Sequence, residues 1–305
     1  MKMPLNSVYI TSLPRSGSTL LSMLLGSHDG VAALGEFVLF GQALSTNSLC
    51  SCGKPLQECD FWGEITRQLN DQRDSFSTLV YPFDFSKTGF QKKLSKLYSY
   101  ALRHHHALLL DLTAAFPQGY PYHMKKAADN TKSLLEMLAN RVSDTDTIFL
   151  DASKTTTRLD YLITMKSYPI KVISLVRDGR GTLHSWLKDS DRSFPDTVRA
   201  WRWHMENQLR SLKEIREEDK IVVRYEDLCR NTESELKRIC DFLQITFQEK
   251  MLSMEGPFHM LGGNPGTIGN SSTVRLDIGW EKTFTQEELN LFEELAGEVN
   301  REMGY

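Results

Sequence analysis

The chain has 305 residues, and 36 basic side chains against 39 acidic ones give it a net charge of −3. Such a length buries a substantial core in one large or two ordinary domains, and the near-even charge excludes the global basic field of a nucleic-acid binder. No apolar run approaches the roughly 18 residues of a membrane span. The chain enters a strand pattern without a charged leader, so a cytoplasmic protein is expected.

The first apolar, β-branched run, Val8–Leu13, predicts a buried strand. A tight turn, Pro14-Arg15-Ser16-Gly17, leads into a helix opening on Ser18 and Thr19. The first N–H groups of that helix lack intrahelical partners and its dipole adds partial positive charge, so the turn is a ready anion site. Arg15 stands at its mouth with a fork suited to phosphate or sulfate oxygens. A Walker A loop carries Lys directly after its second Gly; here Ser18 follows Gly17. A short second strand over Ala32–Gly35 then ends at Glu36.

Residues 37–146 read as a helical elaboration on a single domain spanning 1–305, either a lid or acceptor-recognition region or structural padding. This stretch holds a helical pattern from Phe90 to Leu110, a second from Thr131 to Val142, and the run His104-His105-His106. Consecutive helical residues point about 100° apart, so the three histidines do not share one metal. Cys50, Cys52 and Cys59 crowd one segment. Three ligands at that spacing lack an obvious local fourth, so free thiols are expected rather than zinc. Cys229 and Cys240 read as structural.

Three further strands are predicted, Thr147–Leu150, Val172–Val176 and Ile221–Val223, with helical patterns between them. Buried strands alternating with helices imply an α/β fold, a three-layer parallel sheet flanked by helices. Ligands of such sheets sit beyond the carboxyl ends of the strands. The segments there are Pro14-Arg15-Ser16-Gly17, Asp151-Ala152-Ser153-Lys154, Arg177-Asp178-Gly179-Arg180 and Arg224-Tyr225-Glu226-Asp227. Each carries a basic residue, three of them at or near the first position. Arg177 at a strand end and Ser185 on the next helix can grip a phosphate from two sides, with Gly179 and Gly181 allowing close backbone approach. Trp186, Trp201, Trp203 and His204 follow at helical spacings and read as core packing. Two anion sites in one sheet suggest a donor with phosphates at both ends.

These segments resemble the sulfotransferases that use 3′-phosphoadenosine 5′-phosphosulfate (PAPS), in their bacterial and tyrosylprotein branch. Leu13-Pro14-Arg15-Ser16-Gly17-Ser18-Thr19 is similar to the 5′-phosphosulfate loop of that family, and Val176 through Ser185 to its 3′-phosphate motif. Arg224-Tyr225-Glu226-Asp227-Leu228 resembles a segment whose Tyr lies near the nucleotide. Gly262-Gly263-Asn264-Pro265, with Asp277 and Trp280 beyond, resembles a loop that closes over the donor. The likeness covers about 7–36 and 147–305 and leaves the middle uncovered.

The resemblance implies the P-loop-like sulfotransferase fold, with PAPS as co-substrate and adenosine 3′,5′-bisphosphate as product. Arg15, with Ser16, Gly17, Ser18 and Thr19, would hold the 5′-phosphosulfate; Arg177 and Ser185 the 3′-phosphate; Tyr225 would lie beside the nucleotide. Glu36 falls at the family's catalytic Gly-Glu step and is the expected general base toward an acceptor hydroxyl, less favourably an amine, with His28 and His184 as rivals. Lys154 would stabilise the transferring sulfuryl, with Asp151 as its orienter. A sulfuryl group carries less charge than a γ-phosphoryl, so protein cations suffice and no metal is required. The alternatives are a P-loop-like small-molecule kinase and a non-catalytic nucleotide-binding module. A small molecule, glycan or peptide fits as acceptor.

Overall fold

A computed structural model describes residues 5–69, 120–142, 146–264, 268 and 273–305. Five strands build one all-parallel sheet: β1 (Asn6–Thr11), β2 (Val31–Gly35), β3 (Ile148–Lys154), β4 (Lys171–Val176) and β5 (Lys220–Arg224), in the order β2-β3-β1-β4-β5. The α/β sheet expected from the apolar runs is present, with strand ends shifted by a few residues. β1 lies at the centre because its residues are apolar on both faces. Val8 and Ile10 pack one way, with Leu150, Ile173 and Val223; Tyr9 packs the other way, with Phe149 and Val172.

Helices cover both faces. On one side α1 (Ser18–Gly26) fills the layer with Leu21, Leu24 and Leu25. On the other are α4 (Tyr120–Ala139) and α5 (Thr156–Met165), after the short helices α2 (Phe40–Thr46) and α3 (Gly63–Gln68). A third cluster joins α6 (Gly179–Leu187), α7 (Phe194–Lys213) and the C-terminal α11 (Gln286–Glu302), where Trp201 is buried against Phe292. Short helices α8 (Tyr225–Arg230), α9 (Thr232–Leu243) and α10 (Trp280–Thr283) complete the layers. Helix α4 starts eleven residues before the expected Thr131. The pattern from Phe90 to Leu110 and the histidine run lie outside the described residues. Parts of the described 37–146 stretch join the core: Phe37, Phe40, Trp62, Ile65 and Leu134 share one apolar cluster with Phe149 and Leu159. Among the described residues no helix is long and apolar enough to cross a membrane.

Two expectations are corrected here. Asp151 does not contact Lys154. Its carboxylate accepts from Arg158 Nε at 3.0 Å and Nη2 at 2.8 Å, and from the Ser153 N–H at 2.9 Å. Arg158 is wholly buried and also donates to the Tyr161 hydroxyl. An acid within a buried strand needs a charged partner, and the interior arginine supplies it. Asp151 acts on Lys154 only through the backbone. Between Tyr9 and Thr11, β3 slips register, and Lys154 takes φ 70° at the end of the bulge.

The second correction concerns the cysteine cluster. It does have a fourth ligand-type neighbour, but a distant one: His259, whose Nδ1 lies 3.2 Å from Cys59 Sγ and 4.0 Å from Cys50 Sγ.

Candidate active site

The carboxyl ends of β1, β3 and β4 converge on a cavity of about 960 Å³. Arg15, Gly17, Ser18 and Thr19 line one part of it, Glu36 and Lys154 another, and Arg177, Ser185 and Tyr225 a third. Of the residues assigned from the resemblance to the donor or to the base and sulfuryl-stabilising roles, Ser16 does not line it. Its side chain is buried and its N–H closes the turn onto Leu13 O at 3.3 Å. Among the described residues, the cationic side chains that reach the cavity are Arg15, Lys154, Arg177, Lys188 and Arg275, against the carboxylates Glu36, Asp189 and Asp277. A chain of net negative charge thus concentrates positive potential at one sheet edge.

The Pro14–Gly17 turn leads directly into the uncapped start of α1. Gly17, at φ 91°, is the N-cap of α1, and no side chain caps that terminus. The leading N–H groups of α1 are therefore left to a ligand. Gly17 is also where Tyr225 packs: a Cβ there would stand 2.5 Å from Tyr225 Cδ2. Gly17→Ala should lose about 1–3 kcal/mol of stability through strain and overlap, measured by urea denaturation; a loss below about 0.5 kcal/mol would contradict this packing. Arg15, itself at φ 66°, projects its guanidinium to the mouth, where it pairs with Asp189. With side chains 44% and 60% exposed, that pair contributes little, and a multiply charged anion can displace it.

The second site differs from expectation. The N-terminus of α6 is capped: Asp178 accepts the Arg180 N–H at 2.9 Å and holds the Arg180 guanidinium through Nε and Nη2. Gly179 and Gly181 serve packing rather than a ligand, since a Cβ would meet Phe292 and Trp201 at 2.7 Å in the first case and Arg177 Nε at 3.0 Å in the second. The cationic groups at this end are therefore side chains. Arg177 is nearly buried, 4.5 Å over the Tyr225 ring, and donates to Arg15 O at 2.7 Å and Asp277 O at 2.9 Å. It thereby ties the first loop to the C-terminal segment. Asp277 is partly buried, which works against its charge, yet the Gly279 N–H and Arg177 hold its carboxyl below the usual carboxylate range. Lys188, one helical turn after Ser185, joins this end of the cavity. Sequence reasoning missed Lys188, although its i+3 spacing from Ser185 was the available signal. It also missed Arg275, which no local pattern marks.

Between the two ends, Lys154 Nζ donates to Glu36 Oε1 at 2.6 Å, with both side chains half-buried. The Gly263 N–H approaches the same oxygen at 3.3 Å. The Glu36 N–H donates to Leu261 O at 2.7 Å, and Asn264 N to Thr19 Oγ1 at 3.0 Å. The C-terminal segment thus walls the site beside Glu36. The rival histidines are engaged elsewhere. His28 sits between Thr246 O and the Gly30 N–H. His184 is within hydrogen-bond distance of the Thr283 hydroxyl, and burial with the Lys188 charge pushes its imidazole down. Trp201 is core, and Trp186 donates to Pro14 O at 2.9 Å, bracing the loop from α6.

This arrangement is an α/β fold with a cavity rich in cationic side chains at the carboxyl edge of a parallel sheet. The family model described as "Sulfotransferase family" matches residues 7–249, including the middle region that the motifs left uncovered. The chain belongs to the sulfotransferase family, and it is a sulfotransferase. Solved structures share the fold. The sulfotransferase domain from the curacin biosynthetic pathway is 19% identical over 97% of this chain and 98% of its own, with a TM-score of 0.54. The sulfotransferase domain from the Synechococcus PCC 7002 olefin synthase is 22% identical over 96% and 95%, with a TM-score of 0.56. No curated protein matches the chain.

Proposed function

We propose that this sulfotransferase is one catalytic domain that moves SO₃ from PAPS to the hydroxyl of a small-molecule, glycan or peptide acceptor, in line. The acceptor oxygen forms its bond to sulfur while the bond from sulfur to the 5′-phosphate oxygen breaks. The acceptor proton passes to Glu36, and the products are a sulfate ester and adenosine 3′,5′-bisphosphate. Arg15 and the N-terminal N–H groups of α1 offset charge growing on the leaving phosphate. Lys154 holds the equatorial sulfuryl oxygens, leaving Glu36 for the acceptor side. Arg177, Ser185 and Lys188 take the 3′-phosphate, and Tyr225 lies against the nucleotide.

The observation that carries this reading is the Glu36–Lys154 pair, a base candidate and a cation 2.6 Å apart, in one cavity with cations toward both ends. The kinase alternative is weakened at Asp151: the acid that follows the apolar run Ile148–Leu150, where a P-loop kinase would hold Mg²⁺, is turned inward onto Arg158. Titration calorimetry tests the reading. Adenosine 3′,5′-bisphosphate should bind without added metal, and at least about 10-fold more tightly than AMP, through charge-assisted bonds to its 3′-phosphate. Binding of ATP with Mg²⁺ and none of the bisphosphate would overturn it. Incubation with PAPS and a cell extract should then reveal the acceptor as a mass gain of one SO₃.

A further inference from the structure

The cavity and the family leave one cluster unexplained. Cys50, Cys52, Cys59 and His259 point four ligand atoms at one another, all within 4.8 Å. Cys50 and Cys59 are buried, while Cys52 and His259 are half-buried. In a tetrahedral zinc site with Zn–S of about 2.3 Å and Zn–N of about 2.0 Å, sulfurs stand about 3.8 Å apart and sulfur to nitrogen about 3.5 Å. Here Cys52 Sγ and Cys59 Sγ are 3.8 Å apart, and His259 Nδ1 lies 3.2 Å and 4.0 Å from two sulfurs. A disulfide would use two of the sulfurs and leave the third, with the imidazole, converging on nothing.

The frame around the four groups is built from both sides. Cys50 N donates to Lys54 O and Gly53 N to Cys50 O, both at 2.9 Å, closing a tight turn around Cys52. Ser51 accepts the Met260 N–H and donates its hydroxyl to Phe258 O, both at 2.8 Å, which sets His259 opposite that turn. Trp62 Nε1 donates to His259 O at 2.7 Å, and the Phe61 ring stacks on the imidazole at 5.6 Å and 9°. The ligand orientation is therefore fixed by neighbours, as metal sites require.

We propose that Cys50, Cys52, Cys59 and His259 bind a structural zinc ion. Three thiolates and one imidazole close the coordination shell, which is the pattern of a structural rather than a catalytic site. Its consequence is positional. The ion joins the cysteine loop to a segment 200 residues away, and that segment continues through Met260 to Leu261, which pairs with Gly35 beside Glu36. The zinc thus anchors the wall of the cavity without touching the reacting atoms.

The full chain, purified without chelator, should carry one zinc by plasma mass spectrometry. Exchange with cobalt should give thiolate-to-metal charge-transfer and intense d–d bands of a tetrahedral sulfur-rich site. Cys59→Ser and His259→Ala should each lose most of the metal, while Cys229→Ser keeps it. Should the ligand variants fail to fold, the wild-type protein decides: mercurial titration of its thiols should release one equivalent of zinc. Less than about 0.2 equivalents after incubation with zinc under reducing conditions would overturn the proposal. So would iron in zinc's place, or a Cys52–Cys59 disulfide in non-reducing peptide maps.

Discussion

Replacing Glu36 by Gln should lower turnover about 10²–10⁴-fold, the contribution expected of a positioned general base, while affinity for adenosine 3′,5′-bisphosphate changes less than threefold or so. Gln keeps the shape and can still accept from Lys154, so the 2.6 Å contact has a neutral substitute and the fold is not disturbed. What Gln cannot do is take the acceptor proton. Glu36→Asp should fall between the two, because the carboxylate stays charged but withdraws by one methylene from a near-attack position. Lys154→Ala separates the partners: it should also lose turnover, but through charge at the transferring group, and it leaves the base in place. Turnover and binding are read on the same preparations, by product formation from PAPS and by calorimetry. A Glu36→Gln enzyme within threefold of wild-type turnover would remove Glu36 from the chemistry and return the search for a base to other groups at the acceptor end.

The parts of this site visible in the sequence are those whose chemistry is local. Pro14-Arg15-Ser16-Gly17 is a strand end, a turn and a helix start within a dozen residues, so its anion-binding character follows from chain geometry alone. Arg177 and Ser185 lie on one strand–helix unit for the same reason. The Gly35-Glu36 step became interpretable only through the resemblance, since one glutamate after a short strand has no chemistry of its own. What was not legible depends on which distant group meets a residue. Asp178 looks like a turn acid, yet it caps α6 and neutralises Arg180. Asp151 looks like a site acid because it follows a strand, but the partner that draws it inward sits on α5. The three cysteines looked one ligand short because the histidine that faces them is 200 residues on. Arg275 and Asp277 reach the cavity from a segment that has no regular secondary structure to announce it.

Arg158→Ala should destabilise the protein by about 3–5 kcal/mol, the cost of leaving a buried carboxylate without its counter-charge. Arg158 is 0% exposed and gives two N–H bonds, from Nε and Nη2, to the single oxygen Oδ2 of Asp151 while donating to Tyr161. Arg158→Lys should recover only part of the loss, because a single ammonium cannot reproduce the fork. The double variant Asp151→Asn with Arg158→Met should be more stable than Arg158→Ala, since it removes both charges together. Urea denaturation gives the ordering, and an Arg158→Ala protein within about 1 kcal/mol of wild type would show that Asp151 finds compensation elsewhere. The same pair reaches the site. Asp151 accepts from the Ser153 hydroxyl, and Ser153 in turn accepts the Val38 N–H at 2.8 Å. Ser153 precedes Lys154, and Val38 lies two residues beyond Glu36. The buried pair therefore supports both members of the Glu36–Lys154 couple from beneath. Loosening it should cost kcat more than donor KM, because a shift of about 1 Å at the reacting groups disrupts alignment without removing the cations that bind the donor.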